Sequence, residues 1–520
     1  MRQIRTAVAI SLQFNEKKIK ILGLAKPLCQ SLFYCRKKYF SEYFLLCIVP
    51  CSWLSIVLTH IYFSGILITI DYCKCTVLEY TLKEACCILS CDIVNTDVVI
   101  VGTGAAGLFC ALSLPETMKI CMITKQKADE SDSFLAQGGI CMLRGEEDYE
   151  SYFEDTMRAG HYENDKKAVE LMIRSSNSVI RELLRYGVRF EKNADGALDY
   201  TKEGAHSRPR ILFHEDITGK EITSTLLRQA QSRKNIEIRE FTTMVDLVTE
   251  NNTCSGVVCV AEDGTRYIIN ADNVVLASGG IGGLYQHSTN FPHITGDGLA
   301  IAIKHNVEVE HVDYVQIHPT SLYSTKPGRS FLISESVRGE GAVLLNKNKE
   351  RFTDELQPRD VVSKAILAQM EKDGTDFVWE DMRPIGEETI LQHFPNIYKH
   401  CLEVGYDVLK EPIPVVPAQH YHMGGIKVNL ASRTSMNDLY AVGEASCNGV
   451  HGKNRLASNS LLESLVFAQR AADDIVYGIN HVDADVEKVD MSAYDDLDSV
   501  FAEYKENIFG EMERERTNND

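Results

Sequence analysis

Blocks of apolar and polar positions along the chain predict a wound α/β sheet. The run TDVVIVGTGAAGLFCALSL opens with a continuous apolar stretch at Val98–Val101, short and closed by Gly, which predicts a strand buried on both faces. GTGAAG follows at Gly102–Gly107, and the apolar run after it predicts a helix. KICMITK (Lys119–Lys125) predicts the next strand, and DNVVLASGG (Asp272–Gly280) a further buried strand ending on a Gly pair. Near the end, DLYAVGEASCNGVHGKNRLASNSLLESLVFAQRAA (Asp438–Ala472) predicts strand, Gly-Glu, loop and helix. One doubly wound sheet would bring such distant pieces together. A different pattern occupies Tyr43–Ile70, a stretch without Asp, Glu, Lys or Arg that is long enough to cross a bilayer.

The strand, G-x-G-x-x-G and helix together supply the context that a dinucleotide fingerprint requires. Gly102 permits the tight turn, Gly104 lets the backbone approach a pyrophosphate, and Gly107 lets the helix pack on the strand. The helix then faces the anion with its N-terminus. The following strand should end in an acidic residue for the ribose, yet it ends in Thr124-Lys125. SDSFLAQGGI (Ser131–Ile140) offers hydroxyls and a Gly pair where backbone must pass a flat ring, and TGDG places Asp297 at a helix start. Glu444 is a candidate for a ribitol hydroxyl, with the helix opened by Ser458–Leu461 aimed at a flavin pyrimidine.

The net charge of −19 is divided unevenly, because residues 1–92 hold 11 Lys+Arg against 6 Asp+Glu and the rest 43 against 67. An acidic body argues against nucleic-acid binding, which needs a basic face. Nine of the 16 Cys precede residue 92, and the sparse remainder predicts a reduced, cytoplasmic enzyme without a bound metal. Three readings compete for residues 1–92: a membrane anchor through residues 43–70, a folded extension, or translation from upstream of a start near Val94. The third is the expectation, since the nucleotide-binding strand begins abruptly at Asp97.

These motifs, in this order from about Asp97 to Ala472, resemble the flavoprotein family of L-aspartate oxidase, fumarate reductase and succinate dehydrogenase. The resemblance implies a Rossmann-like FAD domain (93–325 and 424–485) interrupted by a smaller α+β cap (326–423); the short acidic tail (486–520) reads from its own composition as helical or disordered, with MERERTNND frayed or solvated. The resemblance also implies that FAD is held at Thr103, Gly104, Ala105 and Ala106, at Lys125, at Asp132, Ser133, Phe134, Leu135, Ala136, Gln137, Gly138 and Gly139, and at Asp297, Glu444, Ser460 and Leu461. Lys125 thereby becomes a family feature. Respiratory members carry a flavin-linking His where Asp132 stands, so the resemblance implies non-covalent FAD and the aspartate oxidase branch.

The candidate chemistry lies in QIHPT with His318, LISESVRGEG with Ser334, Glu335 and Arg338, QPRDVV with Arg359, and AQHYHMGG and GKNRLASNS with His420 and Arg455. Two Arg forks and two imidazoles suit a dicarboxylate. The resemblance implies that His318, His420 and Arg455 bind substrate carboxylates and that Arg359 transfers the proton. It also implies that Glu203 in TKEGAHSRPRILFHEDITG, where relatives acting on succinate carry an apolar aromatic, reads an ammonium group. The expected reaction is oxidation of L-aspartate with O2 or fumarate as acceptor, coupled functionally to quinolinate synthase. A fumarate reductase or succinate dehydrogenase flavoprotein is the alternative.

Overall fold

The computed structural model describes residues 8–14, 17–23, 92–326, 328–478 and 489–519. Two compact units divide the chain, Met1–Ser90 and Cys91–Asp520. In the first, β1 (Val8–Phe14) and β2 (Lys17–Gly23) pair antiparallel. The candidate span Tyr43–Ile70 and the Cys-rich stretch lie outside the described residues. Among the described residues, no helix is long and apolar enough to cross a membrane.

The second unit is built on a seven-stranded sheet. Its strands are β3 (Asp92–Val101), β4 (Ile120–Ile123), β5 (Ile236–Arg239), β6 (Thr242–Glu250), β7 (Thr253–Ala261) and β8 (Arg266–Leu276), in the spatial order β5-β4-β3-β8-β7-β6. A seventh strand, Leu439–Ala441, runs parallel beside the C-terminal end of β8. Strand β3 starts six residues before the expected Val98, because Asp92–Thr96 pair with Tyr267–Ala271. Alternate β3 side chains enter opposite cores. Val98 and Ile100 join α1 (Ala105–Ser113), whereas Val99 and Val101 join the layer of α2 (Asp297–Lys304). Burial on both faces explains why the strand reads as an unbroken apolar run.

A second sheet, with strands Val315–Leu322, Ile413–His422, Val378–Asp381 and Val343–Leu345 in that spatial order, carries its own core around Ile333, Leu344, Ile366 and Ile413. Two helices flank it on the side of the site: α3 (Glu335–Gly339) and α4 (Arg359–Asp373). Helix α5 (Asn459–Tyr477) packs on α1 and buries Leu462, Leu465 and Val466.

The C-terminal tail is helical, as expected, but it is also docked on the body of the fold. Residues Leu497–Asn519 form helix α6, and Tyr504, Ile508 and Met512 are buried in the core that includes α2. Their i, i+4, i+8 spacing places all three on one face. The many charged residues between them hide that stripe from a compositional reading.

Candidate active site

The cradle follows from backbone sterics. Gly102 has φ +115°, and a Cβ there would lie 2.1 Å from the Ala277 carbonyl oxygen. A Cβ at Gly107 would lie 2.2 Å from the Gly102 carbonyl oxygen, so this glycine fixes how α1 packs on the turn. Gly104 is the N-cap of α1 and gives it no side-chain cap. The Ala105 amide donates to Ser133 Oγ at 3.1 Å, tying the helix start to the SDSFLAQGG segment. Lys125, where an acid would ordinarily meet the ribose, forms a 2.6 Å ion pair with Asp297 at the first position of α2. It also donates to Thr295 Oγ1 at 2.9 Å.

One cavity joins this cradle to the candidate substrate residues. Its wall includes Gly102, Thr103, Gly104, Ala106, Lys125, Asp132, Ser133, Leu135, Ala136, Gln137, Gly138, Gly139, Asp297, Glu444, Ser458, Ser460 and Leu461. Three expected cofactor residues are not in that wall. Ala105 is buried within α1, Gly107 serves helix packing, and the Phe134 ring lies 5.6 Å from Lys220 Nζ. Ser131 Oγ, Asp132 Oδ2, Gln137 Oε1 and Ser278 Oγ are buried without a protein hydrogen-bond partner. Unmet polar atoms around a glycine-rich groove and an uncapped helix start fit a bound dinucleotide such as FAD. Burial pushes Asp132 up to about 7 and Glu444 up to about 8, with the neighbouring Asp132 charge adding to the latter.

At the other end of the cavity stand His318, Ser334, Glu335, Arg359, His420, Arg455 and Glu203. The Thr320 amide donates to His318 Nδ1 at 3.1 Å, and His318 Nε2 has no protein partner. The His318 and His420 rings meet edge to face at 5.0 Å, and Thr289 Oγ1 lies 2.6 Å from His420 Nδ1. Burial, then the Arg359 charge, drives both imidazoles well below their ordinary range, so they remain neutral. Arg359 Nε donates to Glu335 Oε2 at 2.5 Å and its Nη1 to Gln316 Oε1 at 2.8 Å. Arg455 Nη1 donates to Ser460 Oγ at 2.8 Å, its guanidinium sits 4.3 Å from the Tyr421 ring centre, and its Nε is unpartnered. Burial, then Arg359, lowers Arg455 to about 10, which leaves it cationic at neutral pH.

Glu203 is 2% exposed, so it is a buried carboxylate and not a loop residue in solvent. Ser336 Oγ donates to its Oε1 at 2.9 Å and Ser458 Oγ to its Oε2 at 2.5 Å. Burial, then the Glu335 charge, raises its pKa. For Glu335 burial acts in the same sense, but Arg359 and Arg338 outweigh it and hold the carboxylate charged. Ser334 caps α3 by accepting from the Ser336 amide.

Several residues escaped the sequence reading. Gln316 bridges the two arginines, since its Nε2 donates to the Arg455 carbonyl at 2.8 Å. Strand periodicity held that signal, because Gln316 and His318 lie two apart on one strand face. Thr289, in an irregular loop, left none. Ser336 and the Ser458–Glu203 link were equally invisible, as hydroxyl partners 133 and 255 residues away leave no local pattern.

Comparison with known proteins gives a consistent picture. A family described as an FAD binding domain matches residues 97–461. An L-aspartate oxidase of Clostridium acetobutylicum is 46% identical over 432 residues, covering 82% of this chain and 99% of its own. Another, from Clostridium perfringens, is 50% identical over 393 residues, covering 75% and 89%. Among solved structures, an E. coli quinol fumarate reductase aligns with TM-score 0.71 at 30% identity, over 80% of this chain and 75% of its own.

Proposed function

Because the chain belongs to the L-aspartate oxidase family of FAD-binding proteins, we infer that it catalyses the FAD-dependent oxidation of L-aspartate to iminosuccinate. This is the first step of NAD biosynthesis, and with O2 as acceptor the second product is hydrogen peroxide. Fumarate is the other acceptor consistent with the family. The observation that carries the reading is the buried Glu203 carboxylate in one cavity wall with two arginines and two neutral histidines.

The assignment of roles starts from charge. Two carboxylates need cationic forks, and Arg359 and Arg455 supply them, while His318 Nε2, free of protein partners, supplies a neutral donor. His420 completes the clamp beside it. Glu203 offsets the substrate ammonium, a group that succinate and fumarate lack. FAD supplies the acceptor for the hydride that leaves the amino-bearing carbon.

Arg359 takes the accompanying proton, and Glu335, hydrogen-bonded to it and 4.0 Å from Arg338 Nη2, gives that proton a way onward. A protonated guanidinium has no lone pair for a second proton, so Arg359 must first give one to Glu335 along the 2.5 Å hydrogen bond between them and take the substrate's proton in its place. We further propose that segment 326–423 acts as a cap that excludes water from the cavity. Among the described residues, buried free thiols such as Cys110, Cys121, Cys141, Cys254, Cys401 and Cys447 support a reducing, cytoplasmic setting. There the unstable imine would reach quinolinate synthase.

Anaerobic mixing with L-aspartate, and separately with succinate, tests the reading through flavin bleaching. L-aspartate is expected to bleach the flavin rapidly and succinate slowly. Bleaching by succinate alone would move the protein to the fumarate reductase branch.

A further inference from the structure

We propose that Ser336 and Ser458 form a two-point clamp that positions the Glu203 carboxylate for the substrate ammonium, and so help to set the preference for an amino acid. The inference rests on the reading of Glu203 given above.

The geometry is specific. The two carboxylate oxygens each accept one hydroxyl, from α3 on one side and from the residue before α5 on the other. Ser334 Oγ donates to Ser336 Oγ at 3.3 Å, so the single Ser336 proton is directed to Glu203. Ser458 adopts φ +60°, a left-handed conformation that costs an L-residue free energy, and the Cys141 amide holds its carbonyl at 3.1 Å. The strained backbone thus delivers the hydroxyl to the carboxylate. Behind Glu203, a Cβ on Gly138 would lie 2.3 Å from Oε1, so only a glycine lets the carboxylate lie this close to the backbone.

An ionised carboxylate is acceptor-only, and two donated hydroxyls favour that form. Other groups also face it. Glu335 on α3 opposes its charge, Arg359 on α4 supports it, Arg455 before α5 is a further cation, and the Cys141 thiol is neutral through burial. Aspartate binds the charged form of Glu203. Loss of a hydroxyl therefore raises the pH at which binding begins.

The pH profile of kcat/KM for L-aspartate in Ser336→Ala holoenzyme tests this. Its acid limb is expected to move up by roughly half to one pH unit, since a charge-assisted hydrogen bond is lost. The loss should fall on KM more than on kcat. Below the limb it should exceed the loss in fumarate reduction, driven by an artificial electron donor, by about fivefold. Ser336→Thr, which retains the hydroxyl, should return the limb. An unmoved limb, or equal losses in both reactions, overturns the clamp. Glu203→Gln separates the two levels. If it leaves the ratio of aspartate oxidation to fumarate reduction as in the wild type, the ammonium reading itself falls. If it collapses that ratio while Ser336→Ala does not shift the limb, the clamp alone is wrong.

Discussion

Glu380 shows how far the setting of one side chain can lie from its identity. It sits in the strand Val378–Asp381 with 0% exposure and neither carboxylate oxygen hydrogen-bonded. Burial pushes it up to about 8, against the nearby Arg338 charge and with that of Glu355. The folded protein therefore keeps a proton that the unfolded chain releases near pH 4.3. The stabilisation this gives is fully present below about pH 4.3 and is lost as pH rises toward 8. Glu380→Gln should flatten the fall in Tm between about pH 5 and 8 in scanning calorimetry; parallel curves for variant and wild type would refute this. Arg359 makes the same point, because its position at a polar helix start is equally compatible with solvent. In the fold it is 7% exposed and locked to Glu335 and Gln316.

Elements differ in how much of their role is local. The turn between β3 and α1 is decided within a few residues, since Gly102 must adopt a positive φ where no side chain fits. Gly102→Ala should yield protein that purifies without flavin absorbance, and a variant with normal FAD content would show that the turn can shift without consequence. Helix α6 is the opposite case. Its helical propensity is readable in the sequence, but its docking on the α2 layer through Tyr504, Ile508 and Met512 depends on a partner some 200 residues away. Phe501 from the same helix lies 5.1 Å from Lys125 Nζ, bringing the end of the chain to the nucleotide cradle.

At the scale of the whole molecule, every described wall residue of the cavity lies in the unit Cys91–Asp520. A chain starting at Cys91 should accordingly retain the flavin content and aspartate oxidation of the full chain, as judged by absorbance and peroxide release. A loss of either beyond about twofold would mean that the first unit contributes to the second.

The cofactor cradle was legible because its determinants are contiguous. Strand, glycines and helix start fall within 92–113, and short-range sterics decide them. Only the tertiary structure could set the hydroxyl partners of Glu203, the Gln316 bridge, the burial of Arg359 and Glu380, and the docking of α6. Each depends on which distant segment arrives beside it and on how much water that arrival removes. A linear pattern records which side chain stands at a position, whereas its charge state and partners are fixed by desolvation and contact across the fold.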